Sequence, residues 1–140
     1  MQNKATAVWH GNLKEGKGIV STESGTLKEA QYSYKTRFES GVGTTPEELL
    51  AAAHAGCFAM ALSHELSKAG IVAKKLEAAA TITLDAGPAG FTITKSHIDL
   101  TAEVPGADKA KFDTAVKTAE KNCPVSKLFK AEITVDAKLL

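Results

Sequence analysis

Short stretches typical of strands mark the first 40 positions of the chain, and the last of them alternates between two faces as a half-buried strand does. Residues 5–10 and 18–22 are two such stretches, and they flank a turn-rich segment. Residues 31–38 form a third, whose Tyr and Phe side chains fall on one face while Arg37 falls on the other. We therefore predict three strands, with Arg37 opposite the aromatic face of the last one.

The pattern becomes helical after Thr45. Thr45 is a suitable N-cap, Pro46 stands at the first helical position, and Glu48 follows the cap by three residues, as in a capping box. The run that follows is rich in Ala and Leu, and Gly70 is a natural stop. We predict a core helix from about Pro46 to Lys68.

The second half of the chain begins with a predicted hairpin over residues 76–84 and 91–104. The apolar residues of the second strand change parity around Lys95–His97, which indicates a β-bulge or a change of buried face. Because the side-chain period of a strand is two, a single extra residue is enough to produce this change.

Residues 108–121 have helical spacing and end before Cys123-Pro124, because the residue before a proline is pushed out of the helical region. Pro124 can begin a further short turn, and residues 133–139 alternate as a last strand. The resulting order, βββ-α-ββ-α-β, lacks the regular β-α alternation of a parallel sheet. We predict one α+β domain over residues 1–140, with antiparallel sheets and two long helices.

Composition removes several function classes. A net charge of +1 gives no electrostatic reason to expect nucleic acid or a membrane as partner. The first residues lack the apolar core of a signal peptide, and no apolar run is expected to approach a membrane span, so we expect a cytoplasmic protein. Two cysteines are too few for a disulfide scaffold. Of the 17 basic residues only Arg37 is an arginine, which suggests a use for its planar, bidentate fork.

The two cysteines are the first candidates for chemistry. Cys57 lies inside the apolar helix, where a thiol is most simply a small buried hydrophobe. Cys123 lies at the break before Pro124, where a helix N-terminus lowers a thiol pKa, although it could equally fill the corner of a kink. One cysteine in a core helix and one at a helix break would suit a reversible disulfide.

Two further sets of residues have competing explanations. Glu48 is accounted for by the cap, whereas Glu47 has no such role. Zinc would accept a set of His54, Cys57, His64 and Cys123, but no Cys-x-x-Cys or His-x-x-x-His pair supports it. The sequence therefore favours thiol chemistry over a metal site. We expect both histidines to serve in packing.

Residues 45–61, Thr-Pro-Glu-Glu-Leu-Leu-Ala-Ala-Ala-His-Ala-Gly-Cys-Phe-Ala-Met-Ala, resemble the signature of the family of osmotically induced protein C (OsmC) and the organic hydroperoxide resistance proteins (Ohr). Residues 16–25, 36–39, 122–127 and 130–134 agree with the OsmC branch, and they occur in the right order along nearly the whole chain.

The resemblance implies a thiol-dependent peroxidase for organic hydroperoxides that works as an intertwined homodimer. It makes Cys57 the peroxidatic cysteine, Cys123 the resolving cysteine, and Arg37 and Glu47 the catalytic arginine and glutamate. It also implies a dithiol reductant, such as a lipoylated protein, and no metal, haem or flavin cofactor. The rival hypothesis is a redox-responsive stress protein whose disulfide controls binding to a partner.

Helix geometry constrains how these residues can meet. Glu47 and Cys57 are ten residues apart on one predicted helix, which corresponds to about 15 Å along its axis. Arg37 could hardly reach both, so we expect that the two residues of one site come from different chains, or that the helix breaks between them. For the hydroperoxide we expect an apolar pocket around Phe58, Met60 and Phe129.

Overall fold

In the computed structural model, which describes residues 1–140, three antiparallel strands form the first sheet. They are β1 (Ala5–His10), β2 (Lys17–Thr22) and β3 (Ala30–Tyr32), in the order β1-β2-β3. Gly18 lies between Trp9 and Tyr32 in the register of the three strands, and those two rings are 5.6 Å apart. A Cβ at Gly18 would lie 2.5 Å from the Tyr32 ring, so the aromatic packing here requires glycine.

The strand predicted over residues 31–38 is wrong beyond Tyr32, because Tyr34–Phe38 form a short helix, α1. A local capping box explains the difference. The Ser33 hydroxyl accepts from the Thr36 N–H at 3.2 Å, and the Thr36 hydroxyl accepts from the Ser33 N–H at 2.9 Å. Arg37 therefore lies on a helix, with its guanidinium carbon 5.3 Å from the centre of the Phe38 ring.

The second helix, α2 (Pro46–Lys68), has the predicted bounds. The Thr45 hydroxyl accepts from the Glu48 N–H at 3.0 Å, as an N-cap should, while the Glu48 carboxylate accepts from the Thr44 hydroxyl at 3.0 Å. At the other end Gly70 has a φ of +72°, which a glycine adopts without strain. The helix is continuous, so the alternative of a break between Glu47 and Cys57 is wrong.

The expectation that no apolar run approaches a membrane span also needs correction. By length and composition α2 could cross a membrane, because an 18-residue window within it has a mean hydropathy of 1.2. The core helix of a soluble protein passes the same test, so this is weak evidence for insertion. Only 22% of that window is buried in the single chain.

The second sheet contains β4 (Lys75–Gly87), β5 (Gly90–Glu103) and β6 (Glu132–Leu139), in that order. β4 and β5 form the predicted antiparallel hairpin. β6 instead pairs parallel to β5, so the second sheet is mixed, whereas the other strand pairs are antiparallel as predicted. The connection from β5 to β6 runs through two helices, and a crossover of this length can return the chain in the same direction.

The predicted irregularity of β5 is present one residue earlier than expected. Thr83 pairs with Lys95 and Leu84 pairs with Ile93, which leaves Thr94 as the extra residue of a bulge. After the bulge, alternate residues of β5 face the core, and the residues between them face outward.

The helices α3 (Lys109–Asn122) and α4 (Pro124–Leu128) follow β5, also close to their predicted positions. Together with α2 and β5 they enclose one apolar core, whose most buried members include Phe58, Leu62, Leu66, Ile98, Leu100, Phe112 and Ala119. The chain divides into two compact units, Met1–Leu49 and Leu50–Leu140. The single-domain assignment stays a prediction.

Candidate active site

The only arginine of the chain forms a fork-shaped ion pair with Glu47. Arg37 Nε donates to both carboxylate oxygens, at 3.0 and 3.1 Å, and Nη2 lies 2.5 Å from Oε1. Arg37 is positioned by α1, and Glu47 by the first turn of α2. The structure thus brings together the arginine and the glutamate that the sequence had singled out.

The two cysteines also meet, although they are 66 residues apart in sequence. Their Sγ atoms lie 2.8 Å apart, and both are free thiols. A disulfide has an S–S distance of about 2.05 Å, so less than about 1 Å of sulfur movement separates the dithiol from the disulfide. Cys123 is completely buried, whereas Cys57 is partly exposed.

The surroundings of Cys57 favour its protonated form. Burial raises the pKa of the Cys57 thiol, and its hydrogen bond with Cys123 raises that pKa further. The backbone N–H of Val125, at the start of α4, acts in the opposite direction. None of these groups is a cation. A reactive thiolate at Cys57 therefore needs a positive charge from elsewhere.

His54, one turn before Cys57 on α2, is fully buried and serves in packing as predicted. Its Nδ1 lies 2.6 Å from the Ser96 hydroxyl and its Nε2 lies 2.8 Å from the Ser126 hydroxyl. Burial lowers the pKa of this imidazole. Sequence reasoning missed both serines, because they are 42 and 72 residues away and no local pattern marks them.

This arrangement removes the zinc set considered from the sequence. Both ring nitrogens of His54 are already engaged by hydroxyls, so neither is free for a metal. His64 is exposed in the single chain, and the expectation that it serves in packing stays a prediction. His54 therefore cannot join Cys57 and Cys123 as a zinc ligand.

The apolar pocket expected around Phe58, Met60 and Phe129 is not formed. Phe58 belongs to the core, Met60 is 77% exposed, and the ring of Phe129 packs edge-on against His54. A cavity of about 310 Å³ instead lies beside Arg37. Half of its lining residues are aromatic, and the apolar part of the lining includes Trp9, Leu13, Tyr32, Tyr34, Phe38 and Pro46.

Comparison with known proteins agrees with these features. The sequence model described as OsmC-like protein matches residues 39–138. Over 139 residues the chain is 48% identical to Peroxiredoxin OsmC of Escherichia coli (strain K12), covering 99% of this chain and 97% of that protein. Over 105 residues it is 35% identical to an organic hydroperoxide resistance protein of Xanthomonas axonopodis pv. citri (strain 306), covering 71% and 68% of the two chains.

Solved structures show the same fold. The crystal structure of the organic hydroperoxide resistance protein OhrB of Bacillus subtilis has a TM-score of 0.68 with 24% identity, over 98% of each chain. Because the family model spans most of the chain and a relative is 48% identical along nearly its whole length, the chain belongs to the OsmC family.

Proposed function

We propose that this protein is a cysteine-based peroxidase that reduces organic hydroperoxides to alcohols by means of Cys57 and Cys123. The observation that carries the proposal is the 2.8 Å separation of the two thiol sulfurs. Cys57 is partly exposed and Cys123 is completely buried, so a peroxide can reach Cys57 first. This difference supports Cys57 as the peroxidatic cysteine and Cys123 as the resolving one.

The reaction runs in three balanced steps. The Cys57 thiolate attacks the terminal oxygen of the hydroperoxide, so that an S–O bond forms, the O–O bond breaks, and the alkoxide leaves to be protonated to the alcohol. The Cys123 thiol then attacks the sulfur of the Cys57 sulfenic acid, so that an S–S bond forms, the S–O bond breaks, and the hydroxyl group leaves as water with the proton of the thiol. A dithiol, such as a lipoylated protein, returns both cysteines to thiols and becomes a disulfide itself.

The charge that Cys57 needs would come from Arg37 of the partner subunit in a homodimer. Glu47 and Cys57 lie on one continuous helix, about 15 Å apart along its axis. An arginine held by Glu47 therefore serves Cys57 of the partner subunit better than that of its own chain. The raised pKa of Cys57 in the single chain and the largely unburied apolar helix support this assembly.

The cavity beside Arg37 supports an organic substrate. Its aromatic lining offers apolar surface to the carbon chain of a hydroperoxide, while the guanidinium can hold the peroxide oxygens by hydrogen bonds. Hydrogen peroxide has no carbon chain and would gain nothing from this surface. We therefore expect alkyl and fatty-acid hydroperoxides to be better substrates than hydrogen peroxide.

A peroxidase assay with the two cysteine variants tests the proposal. Cys57→Ser should abolish turnover of a bulky alkyl hydroperoxide by a reduced dithiol. Cys123→Ser should allow one round of reduction with the dithiol omitted, leaving a sulfenic acid at Cys57 that a dimedone-type reagent traps and mass spectrometry locates. Undiminished turnover in Cys57→Ser would refute the proposal. The same assay compares hydrogen peroxide with the organic substrates, and a monothiol with the dithiol.

The rival role, a redox-responsive protein whose disulfide changes partner binding, predicts slow peroxide reduction and a large change of shape on oxidation. The short distance between the thiol sulfurs argues against a large change, because the disulfide can form with little movement. Scattering profiles of the reduced and oxidised protein, recorded beside the assay, separate the two roles.

A further inference from the structure

Three side chains that commonly bind metals converge on the outward face of the second sheet. His97 and Asp99 are two residues apart on β5, so both point away from the core. Asp136 lies directly opposite Asp99 in the parallel register of β5 and β6. The group has no part in the thiol chemistry, because the core-facing residues of β5 occupy the other side of the sheet.

The distances within this group fit a metal site, although an ion pair of a protonated His97 would also accept them. His97 Nε2 lies 3.4 Å from Asp99 Oδ1 and 3.4 Å from Asp136 Oδ2. A good N–H···O hydrogen bond spans about 2.7–3.2 Å, which is shorter than either distance. Two ligand atoms on a tetrahedral zinc, with bonds of about 2.0–2.1 Å, lie about 3.3–3.4 Å apart. All three candidate ligand atoms lie within 4.8 Å of one another.

The charges of the group also call for a cation. Like charges directly opposite each other on paired strands repel, and Asp99 and Asp136 have this relation. Their only ion pairs are those to His97, and neither carboxylate forms an ion pair with a lysine or an arginine. A divalent cation between the two carboxylates would remove the repulsion.

A hydroxyl from the neighbouring strand fixes the histidine ring. Thr134 lies opposite His97 in the register, and its Oγ1 is 2.5 Å from His97 Nδ1. Metal-binding histidines almost always engage their second ring nitrogen in such a bond, which sets the tautomer and the ring orientation. Nε2 is then left to face the two carboxylates.

We propose that His97, Asp99 and Asp136 bind a zinc ion, with water as the fourth ligand. Zinc accepts imidazole nitrogen and carboxylate oxygen in a tetrahedral arrangement, and three protein ligands leave one position open. Both carboxylates are largely exposed and can rotate to complete the geometry. The site is independent of the proposed peroxidase, so either can fail without the other.

Calorimetric titration of metal-free protein with a zinc salt near neutral pH tests the site. The parent should carry Cys57→Ser and Cys123→Ser, because the adjacent thiols would otherwise bind zinc themselves. We expect one zinc per chain, and at least about a tenfold loss of affinity in His97→Ala and in the isosteric Asp136→Asn. Glu77→Gln is the matched control, since it removes the same charge from the same face of the sheet. Absence of binding in the parent, or equal losses in Glu77→Gln, would overturn the proposal.

A second pair of measurements examines the geometry. Thr134→Val removes the hydroxyl that orients His97, and we expect about a tenfold weaker zinc affinity with an unchanged melting temperature of the metal-free protein. Cobalt(II) in place of zinc should give the intense visible absorption of a tetrahedral centre. An unaltered affinity in Thr134→Val, or the weak spectrum of an octahedral cobalt ion, would contradict the proposed coordination.

Discussion

The guanidinium of Arg37 is held through Nε and Nη2 by a single carboxylate, that of Glu47. This fork fixes the plane of the guanidinium group. Its Nη1 donors are not used by Glu47, so they can donate to a bound peroxide. A lysine at this position would carry the same charge but could not be fixed in the same way. At the scale of single residues, the orientation of the donors therefore matters as much as the charge.

Arg37→Lys tests this point. We expect kcat/KM for an alkyl hydroperoxide to fall by about 10- to 100-fold, because a charge-assisted hydrogen bond contributes about 1.5–3 kcal/mol. The pKa of Cys57, measured from alkylation rates against pH in a Cys123→Ser background, should rise. Lys35→Ala, which changes an exposed cation of the same helix, is the control and should leave both quantities unchanged. A wild-type kcat/KM in Arg37→Lys would contradict the role.

His54 should make stability depend on pH. Burial lowers its pKa in the folded chain, whereas the unfolded chain has a pKa of about 6.5. At a pH between the folded and the unfolded pKa of His54, the unfolded chain binds more protons than the folded chain. The contribution of His54 to the free energy of unfolding is therefore fully present above about pH 6.5 and is lost as the pH falls from there towards the folded pKa.

Denaturant unfolding across this pH range measures the effect. In the parent, the free energy of unfolding should fall by up to about 1.4 kcal/mol per pH unit below pH 6.5 because of His54, and His54→Gln should remove this fall. His64→Gln, at an exposed position of the same helix, should keep it. If His54→Gln and the parent show the same slope, His54 does not contribute to the pH dependence.

At the scale of elements, the short helix α1 shows how local hydrogen bonds can decide against an alternating pattern. Its residues alternate as a strand would, yet Ser33 and Thr36 satisfy the first N–H groups of a helix. This cap matters beyond α1 because the helix carries Arg37. The long helix α2 had stronger local signals, a capped start and a glycine stop, and its bounds could be read from the sequence.

Ser33→Ala should unfold or loosen α1. We expect a loss of about 1 kcal/mol in stability, typical for an N-cap, and a lower kcat/KM because Arg37 loses its support. Ser40→Ala, an exposed serine just after the helix, is the matched control. Denaturation and the peroxidase assay are measured on the same preparations. If Ser33→Ala is destabilised but keeps full activity, the cap is not needed to position Arg37.

At the scale of the whole molecule, the apolar surface of α2 and the raised pKa of Cys57 have one explanation in the proposed homodimer. A helix with this hydropathy and so little burial is suited to being covered by a second chain. The same assembly would bring a guanidinium to a thiol that has no cation among the groups that shift its pKa.

Coexpression of two inactive variants tests whether the site is shared. Arg37→Ala keeps both cysteines, and Cys57→Ser keeps the arginine. If the site is shared, each mixed dimer contains one complete site, and random pairing should restore about a quarter of wild-type activity. Replacing the second partner by the Arg37→Ala/Cys57→Ser double variant should restore none. Activity no higher than that of the separate variants would contradict a shared site.

The sequence by itself determined the features that depend on neighbouring residues. The cap at Thr45, the stop at Gly70, the break at Pro124 and the parity change in β5 all act over a few positions, so each could be predicted. The four residues of the candidate site could be selected because the sequence resembles that of a known family.

Only the tertiary structure decided what distant residues do together. The parallel pairing of β6, the serines on either side of His54 and the 2.8 Å between Cys57 and Cys123 join positions that lie tens of residues apart. The outward group of His97, Asp99 and Asp136 arises in the same way, from the register of two strands that α3 and α4 separate. Such contacts follow from how the core packs, and the packing depends on all of its elements at once.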